Sequence, residues 1–241
     1  MSTLPSPAVW SLSRHRASCA LGGLVSTIDL ARPQGGLEVA HPDAAGPDRL
    51  LGLELDPDCI RVDDWCRGRD VTAIYETAER GRLRATVMWR AAPAWLSTMP
   101  GVWCREAIVS AQTALLESVP RLGIAADVAA GTVMATEFHD GRLAFASPPG
   151  RRPHGWFVTW SDGRGLLFLV HPLDAGEMTA QRDGDRVRLA ARLFPEAVEK
   201  GVLLRSRVVA AIGPAAGAAE SDAWAERVAR AFAASPPVLT T

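Results

Sequence analysis

The stretch IRVDDWCRGRDVTAIYETAERGRLRATVMWR, residues Ile60 to Arg90, decides how the rest of the chain is read. Val71, Ala73 and Tyr75 alternate with Thr72, Ile74 and Glu76. Beyond a polar turn carrying Gly81, Leu83, Ala85, Val87 and Trp89 alternate with Arg84, Thr86, Met88 and Arg90. Successive side chains of a strand point to opposite faces, so period-two alternation on both sides of a glycine-bearing turn is the pattern of a hairpin. The stretch is read as two strands and a turn. Asp56, Asp58, Asp63 and Asp64 lie just before the hairpin and read as a solvated turn. They lack the regular D-x-D-x-D-G spacing and the following bidentate glutamate of a calcium loop, so no metal site is expected there.

Working outward, the same grammar recurs. Ser18 to Leu30 reads as one or two strands about the Gly22-Gly23 bend, and Leu37 to Ala40 and Leu50 to Leu55 as short strands around the Pro/Gly/Asp-rich loop at His41 to Asp48. Ala91 to Gly101 is a Pro-punctuated connection. Val102 to Val119 fits either a helix stacking Ile108, Ala111, Leu115 and Val119 or an alternating strand; the β context on both sides favours strand, and Pro120 ends the element either way. From Ala130 onward, strands separated by turns at His139-Asp140-Gly141, Ser161 to Arg164, Asp183-Gly184-Asp185 and Pro195 to Gly201 form an antiparallel meander that ends in Leu203 to Ile212.

One helix is expected, over about residues 221–234. Ser221 or Asp222 would cap it, Trp224, Val228 and Phe232 share one face, and Pro236-Pro237 stops it. About a dozen strands and one amphipathic C-terminal helix make the fold class all-β. The expected architecture is an antiparallel β-sandwich or supersandwich in a single domain over 1–241, with the helix packed on an open sheet face.

Composition narrows the function classes. At 241 residues with 48% hydrophobic and 22% charged residues, the chain is an ordinary globular one that needs neither disulfide nor metal to build a core. A net charge of −1 gives no basic footprint for nucleic acid or an anionic membrane, and neither is expected as a partner. Lys200 is the one lysine, in a polar VEKG turn, so arginine carries nearly all positive charge, as in a GC-rich genome. Cys19, Cys59, Cys66 and Cys104 form no C-x-x-C pair and read as free thiols. The N-terminal apolar run, broken by Gly22 and Gly23, is too weak for a leader or a membrane span, so the expected location is the cytoplasm. No G-x-S-x-G, Walker or G-x-G-x-x-G motif is present, and no cofactor is expected.

The candidate functional residues are therefore inventories rather than motifs. Eight tryptophans accompany a single tyrosine, and Trp65, Trp89, Trp156 and Trp160 lie on or beside expected strands, where an indole either packs in the core or stacks on a sugar ring. Arg67, Arg69, Arg90 and Arg151-Arg152 offer forks for a carboxylate-bearing ligand, or simply form the charged outer faces of strands. His139, His154 and His171 come at turns or strand edges, and two of them with Glu76 or Glu106 would supply acid–base chemistry if they met in one cleft.

The segments RVDDWCRGRDVTAIYE and RATVMWR, VSAQTALLESVP, and EKGVLLRSRV with FAASPPVLTT resemble uncharacterised bacterial hypothetical proteins. The strand-rich layout with Gly-Gly bends also resembles the galactose-mutarotase-type supersandwich, whose members bind or process carbohydrates. That likeness implies a pair of histidines and a glutamate, drawn from His139, His154, His171, Glu76 and Glu106, with no spacing to choose among them. Two expectations follow: a non-catalytic sandwich binding a carbohydrate, another ligand or a protein partner, and an epimerase- or lyase-like carbohydrate-active enzyme.

Overall fold

A computed structural model describes residues 9–21, 24–40, 46–79, 81–91, 93, 99, 101–139, 142–146, 153–174, 176–214 and 218–235. Strands are labelled in chain order. The first sheet has eight, in the spatial order β1 (Ser11–Ser13), β2 (Arg16–Leu21), β3 (Leu24–Asp29), β4 (Leu37–Val39), β5 (Asp48–Glu54), β11 (Leu122–Ala129), β17 (Arg186–Leu193) and β16 (Met178–Asp183). The second has nine: β13 (Arg142–Ala146), β12 (Thr132–His139), β14 (Gly155–Thr159), β15 (Gly165–Val170), β19 (Leu204–Gly213), β9 (Trp103–Gln112), β8 (Arg84–Ala91), β7 (Asp70–Thr77) and β6 (Cys59–Arg67). A small ribbon pairs β10 (Glu117–Ser118) with β18 (Val198–Glu199). The assigned pairings are all antiparallel, and helix α1 (Ala218–Ala234) follows the last strand. This is the all-β sandwich with one C-terminal helix that the alternation called for.

Two local readings change. Residues 60–90 hold three strands, because Cys59–Arg67 is itself a strand at the edge of the second sheet. Its alternation is disguised by a register shift between Arg61 and Asp63, which moves Asp63 and Asp64 from an expected turn onto the strand. Helix α1 begins at Ala218, so Ser221 and Asp222 lie inside it rather than at its cap. Ala218, Ala219 and Glu220 are strong helix formers that extend it toward the N-terminus. The ambiguous segment 102–119 is strand through Gln112. The Gly22-Gly23 bend, most of the 41–48 loop, the 140–141 turn, Trp95, Arg151, Arg152 and Pro236-Pro237 lie outside the described residues.

The main core forms between the sheets, from Ile28, Leu50, Leu53, Ile124 and Leu189 on one side and Val71, Tyr75, Val87, Trp89 and Val109 on the other. Trp89, Tyr75 and Trp160 are tolerated there because the polar atom of each finds a backbone carbonyl. Trp89 Nε1 donates to Leu51 O at 2.9 Å, Tyr75 Oη to Leu30 O at 2.8 Å, and Trp160 Nε1 to Ala129 O at 3.0 Å. Leu51 has a left-handed φ of 56°, an unfavourable conformation for a leucine. A second core lies on the other side of the second sheet, where Trp224, Val228 and Phe232 of α1 cover Cys104, Phe157, Leu169 and Val209. Their i, i+4, i+8 spacing makes one helical stripe. Gly213 allows the indole of Trp224 to lie against the strand, since a Cβ there would stand 2.0 Å from Trp224 Cε2. No described helix is long and apolar enough to cross a membrane.

Candidate functional site

Pairing register places residues on faces. Arg67 lies opposite Asp70, Asp70 opposite Arg90, and Arg90 opposite Glu106, so one lateral row alternates in charge across four neighbouring strands, β6 to β9. The next row runs Trp65, Thr72, Met88, Ile108 and Arg207 over β6, β7, β8, β9 and β19. Residues directly opposed in a sheet share a face. These two rows therefore lie side by side on the outer face of the second sheet, the face that carries α1 further along.

The geometry is tightly cross-linked. Arg90 donates from Nε to Asp70 Oδ1 at 2.9 Å and from Nη2 to Asp70 Oδ2 at 3.2 Å, a two-armed fork that, with the neighbouring charges, raises its pKa. Its Nη1 stands 3.9 Å from Glu106 Oε2. The other Glu106 oxygen accepts from Arg207 Nε at 2.7 Å, and the two side chains are 1% and 4% exposed. Arg207 then reaches the end of α1, donating from Nη1 to Ser235 O at 3.1 Å and from Nη2 to Ser235 Oγ at 2.8 Å, with its guanidinium over the Phe232 ring. The last turn of α1 holds no basic residue, so a strand arginine supplies the positive charge that the carbonyl end of a helix favours.

His171 lies beside this group. Its N–H donates to Arg207 O at 2.9 Å, its ring meets Phe232 edge-on, and Asp174 Oδ2 accepts from the Arg207 N–H at 3.1 Å. Burial lowers the pKa of His171, against a smaller opposing effect of Asp174, and burial raises that of Asp174. His171 Nδ1 accepts from the Leu173 N–H at 3.4 Å, and the histidine is linked to Glu106 through Arg207.

The other sequence candidates scatter. His154 Nδ1 accepts from the Phe138 N–H at 3.3 Å and its ring stands edge-on to Phe138. His139 pairs with Arg142 through the backbone of β12 and β13, and its side chain lies outside the described residues. Glu76 is on the same face as Trp65 but takes an ion pair from Arg84 at 2.5 Å. Trp89, Trp156 and Trp160 are buried between the sheets, whereas Trp65 is 40% exposed. Of the ligand-binding candidates, Trp65, Arg67 and Arg90 come together, and the three core tryptophans do not join them. Asp70, Arg207, Asp174 and Ser235 were not singled out as site residues; the available signal was the arginine pair Arg205 and Arg207 at the start of the mostly apolar strand Leu204–Gly213.

The acidic residues before the hairpin are held by arginine: Arg82 reaches both Asp56 and Asp58, and Arg61 pairs with Asp64. Among the described residues no group of three or more His, Cys, Asp and Glu is placed to hold a metal ion. All four cysteines are free. At the open edge between the layers, a cleft of about 790 Å³ is lined by Gln34, Glu54, Asp56, Arg61, Tyr75 and Arg188. Its charges are also paired, Arg188 with Glu54 inside the cleft, and Arg61 with Asp64 and Asp56 with Arg82 beside it.

No family model matches the chain, and no curated protein matches it in sequence. Among solved structures, a putative kojibiose phosphorylase from human microbiome is similar over 95% of this chain, at 8% sequence identity and a TM-score of 0.48. The match takes in 33% of that protein, so this chain spans about a third of its length.

Proposed function

We propose that the chain is a binding protein that takes a neutral, hydroxyl-rich carbohydrate on the outer face of its second sheet. Trp65 is the stacking plate, and Arg67, Asp70 and Arg90 are the polar rail beside it, with the buried Glu106 closing the row behind Arg90. The observation that carries this reading is the exposed indole of Trp65 in register beside a row of alternating guanidiniums and carboxylates. Such a row offers donors and acceptors in turn at the ~4.8 Å spacing of strands, which suits hydroxyl groups that both donate and accept. A carboxylate-bearing ligand is less well matched, because Asp70 already occupies both arms of the Arg90 fork. Binding is favoured over turnover because Asp70 and Glu106 are each held by an arginine, and a general acid or base needs an oxygen within reach of the reacting proton.

The test is a thermal-shift and calorimetric screen of the protein against neutral mono- and oligosaccharides, with uronic acids as the contrast. A neutral sugar should raise the melting temperature, and Trp65→Ala should abolish that shift. The same variant should leave the sugar-free stability within about 0.5 kcal/mol, since the side chain is substantially exposed. Sugar binding undiminished in Trp65→Ala would place the site elsewhere. Absence of any sugar shift would favour a protein partner, and conversion of a bound sugar would favour the enzyme reading.

A further inference from the structure

At another edge of the sandwich, Leu21 and Leu24 of the first sheet face Trp103, Ile212 and Gly213 of the second across a cavity of about 300 Å³. Val102 and Pro214 add to the apolar wall, and the one charged residue lining it among the described residues is Arg164. The polar side-chain atoms that this lining supplies are all donors. Trp103 is 6% exposed and, among the described residues, its Nε1 has no acceptor; Arg164 Nη2 is likewise buried without one, while its Nε donates to Asp162 Oδ2 at 2.6 Å. Against the Trp103 ring lies Arg105, its guanidinium carbon 4.6 Å from the ring centroid. Arg105 is fully buried and bonds to two neutral acceptors, Ser26 Oγ at 2.8 Å and Cys104 O at 3.1 Å. No carboxylate pairs with it among the described residues, and its Nε has no acceptor.

A guanidinium keeps its charge in a protein, and a buried cation without a counter-ion is unfavourable, as is a buried N–H without an acceptor. Here an indole N–H and a guanidinium nitrogen without acceptors among the described residues belong to the lining of one apolar cavity, and the guanidinium of Arg105 stacks on the ring of that indole. An oxyanion is the chemical class that answers both donors, and the nearby charge of Arg105 favours it. The aliphatic walls select among oxyanions, since a strongly hydrated inorganic ion gains nothing from Leu21, Leu24 and Ile212, whereas a short hydrocarbon tail does.

We propose that this cavity binds a small aliphatic carboxylate, with the carboxylate accepting from Trp103 Nε1 and Arg164 Nη2 and the chain lying along Leu21, Leu24 and Ile212. Both nitrogens are shielded from solvent, so entry requires the Arg164 side chain to turn. That side chain is 23% exposed and can move without opening the core.

The experiment is a titration of the full chain with butanoate and hexanoate, followed by calorimetry and thermal shift at constant ionic strength, with the matching alcohols and sodium chloride as controls. The acids should bind saturably and the alcohols and chloride should not. Arg164→Gln and Trp103→Phe should each weaken acid binding by about tenfold, the loss of one charge-assisted or buried hydrogen bond. Trp65→Ala should leave acid binding unchanged, which keeps this site separable from the carbohydrate face. Equal response to alcohol and acid would reduce the cavity to an apolar void. A flat response to every acid would mean that water satisfies the donors. Undiminished acid binding in Arg164→Gln would place it elsewhere, and each of these results overturns the proposal.

Discussion

Replacing Arg207 by methionine is the most informative single perturbation of this fold. The change keeps much of the side-chain bulk but removes the charge that faces Glu106, itself 1% exposed. The carboxylate would retain Arg90 Nη1 at 3.9 Å, a guanidinium already engaged by Asp70. The Ser235 carbonyl and hydroxyl at the end of α1 would lose their donors as well. Breaking a buried pair by removing one partner costs about 3–5 kcal/mol, most of it from the charge left behind. For a chain of this size that corresponds to a melting temperature lower by roughly 6–20 °C. Removing both partners should cost much less, because a hydrophobic pair of similar volume often matches a buried ion pair. Glu106→Leu with Arg207→Met is therefore expected to recover to within about 1–2 kcal/mol of the parent, the remainder being the uncapped helix end. Urea unfolding at pH 7.5, followed by far-ultraviolet circular dichroism on the parent, both single variants and the double variant, gives the complete cycle. If Arg207→Met alone lost less than about 1 kcal/mol, or the double variant were as unstable as the single, the picture of Arg207 as neutraliser of a buried carboxylate would be wrong.

Two further outcomes are expected. Gly213→Ala should cost about 1–3 kcal/mol by overpacking, since the added Cβ would stand 2.0 Å from Trp224; hydrogen exchange should show faster opening of residues 218–235, and unchanged protection would show that the helix does not seat on Gly213. Burial holds the pKa of His171 below its ordinary 6.5, so the unfolded chain binds the proton more readily and stability is lost as pH falls through 6.5 toward the folded value. His171→Gln should flatten that loss between pH 7.5 and 5.5 in urea midpoints, and an equal slope in both proteins would assign it to another group.

Much of the fold was legible because strand alternation is a local property. Val71, Ala73 and Tyr75 declare their face within a few residues, and so do Leu83, Ala85, Val87 and Trp89. The i, i+4, i+8 stripe of α1 declared its own apolar side in the same way. Cys59–Arg67 escaped because its register shift breaks the period at Val62. The two-residue strands of the β10–β18 ribbon are too short to show a period at all.

The candidate site was legible only as an inventory. Trp65, Arg67, Arg90 and Glu106 were each singled out, yet nothing in the chain says that they fall in neighbouring rows, because Arg67 and Glu106 are brought into one row by the pairing of four strands separated by turns and a long connection. Trp89 and Trp65 carry the same side chain and the same strand propensity. One is sealed between the sheets with its N–H on Leu51 O, and the other stands on an exposed edge strand. Residue type and periodicity are written along the chain, so the sequence by itself determined an antiparallel β-sandwich with a packed C-terminal helix. Which polar residues became neighbours, which indole reached solvent, and that Arg207 would bridge Glu106 to the end of α1 were decided by strand order and register. Those are contacts between distant segments, and they exist only once the sheets have closed.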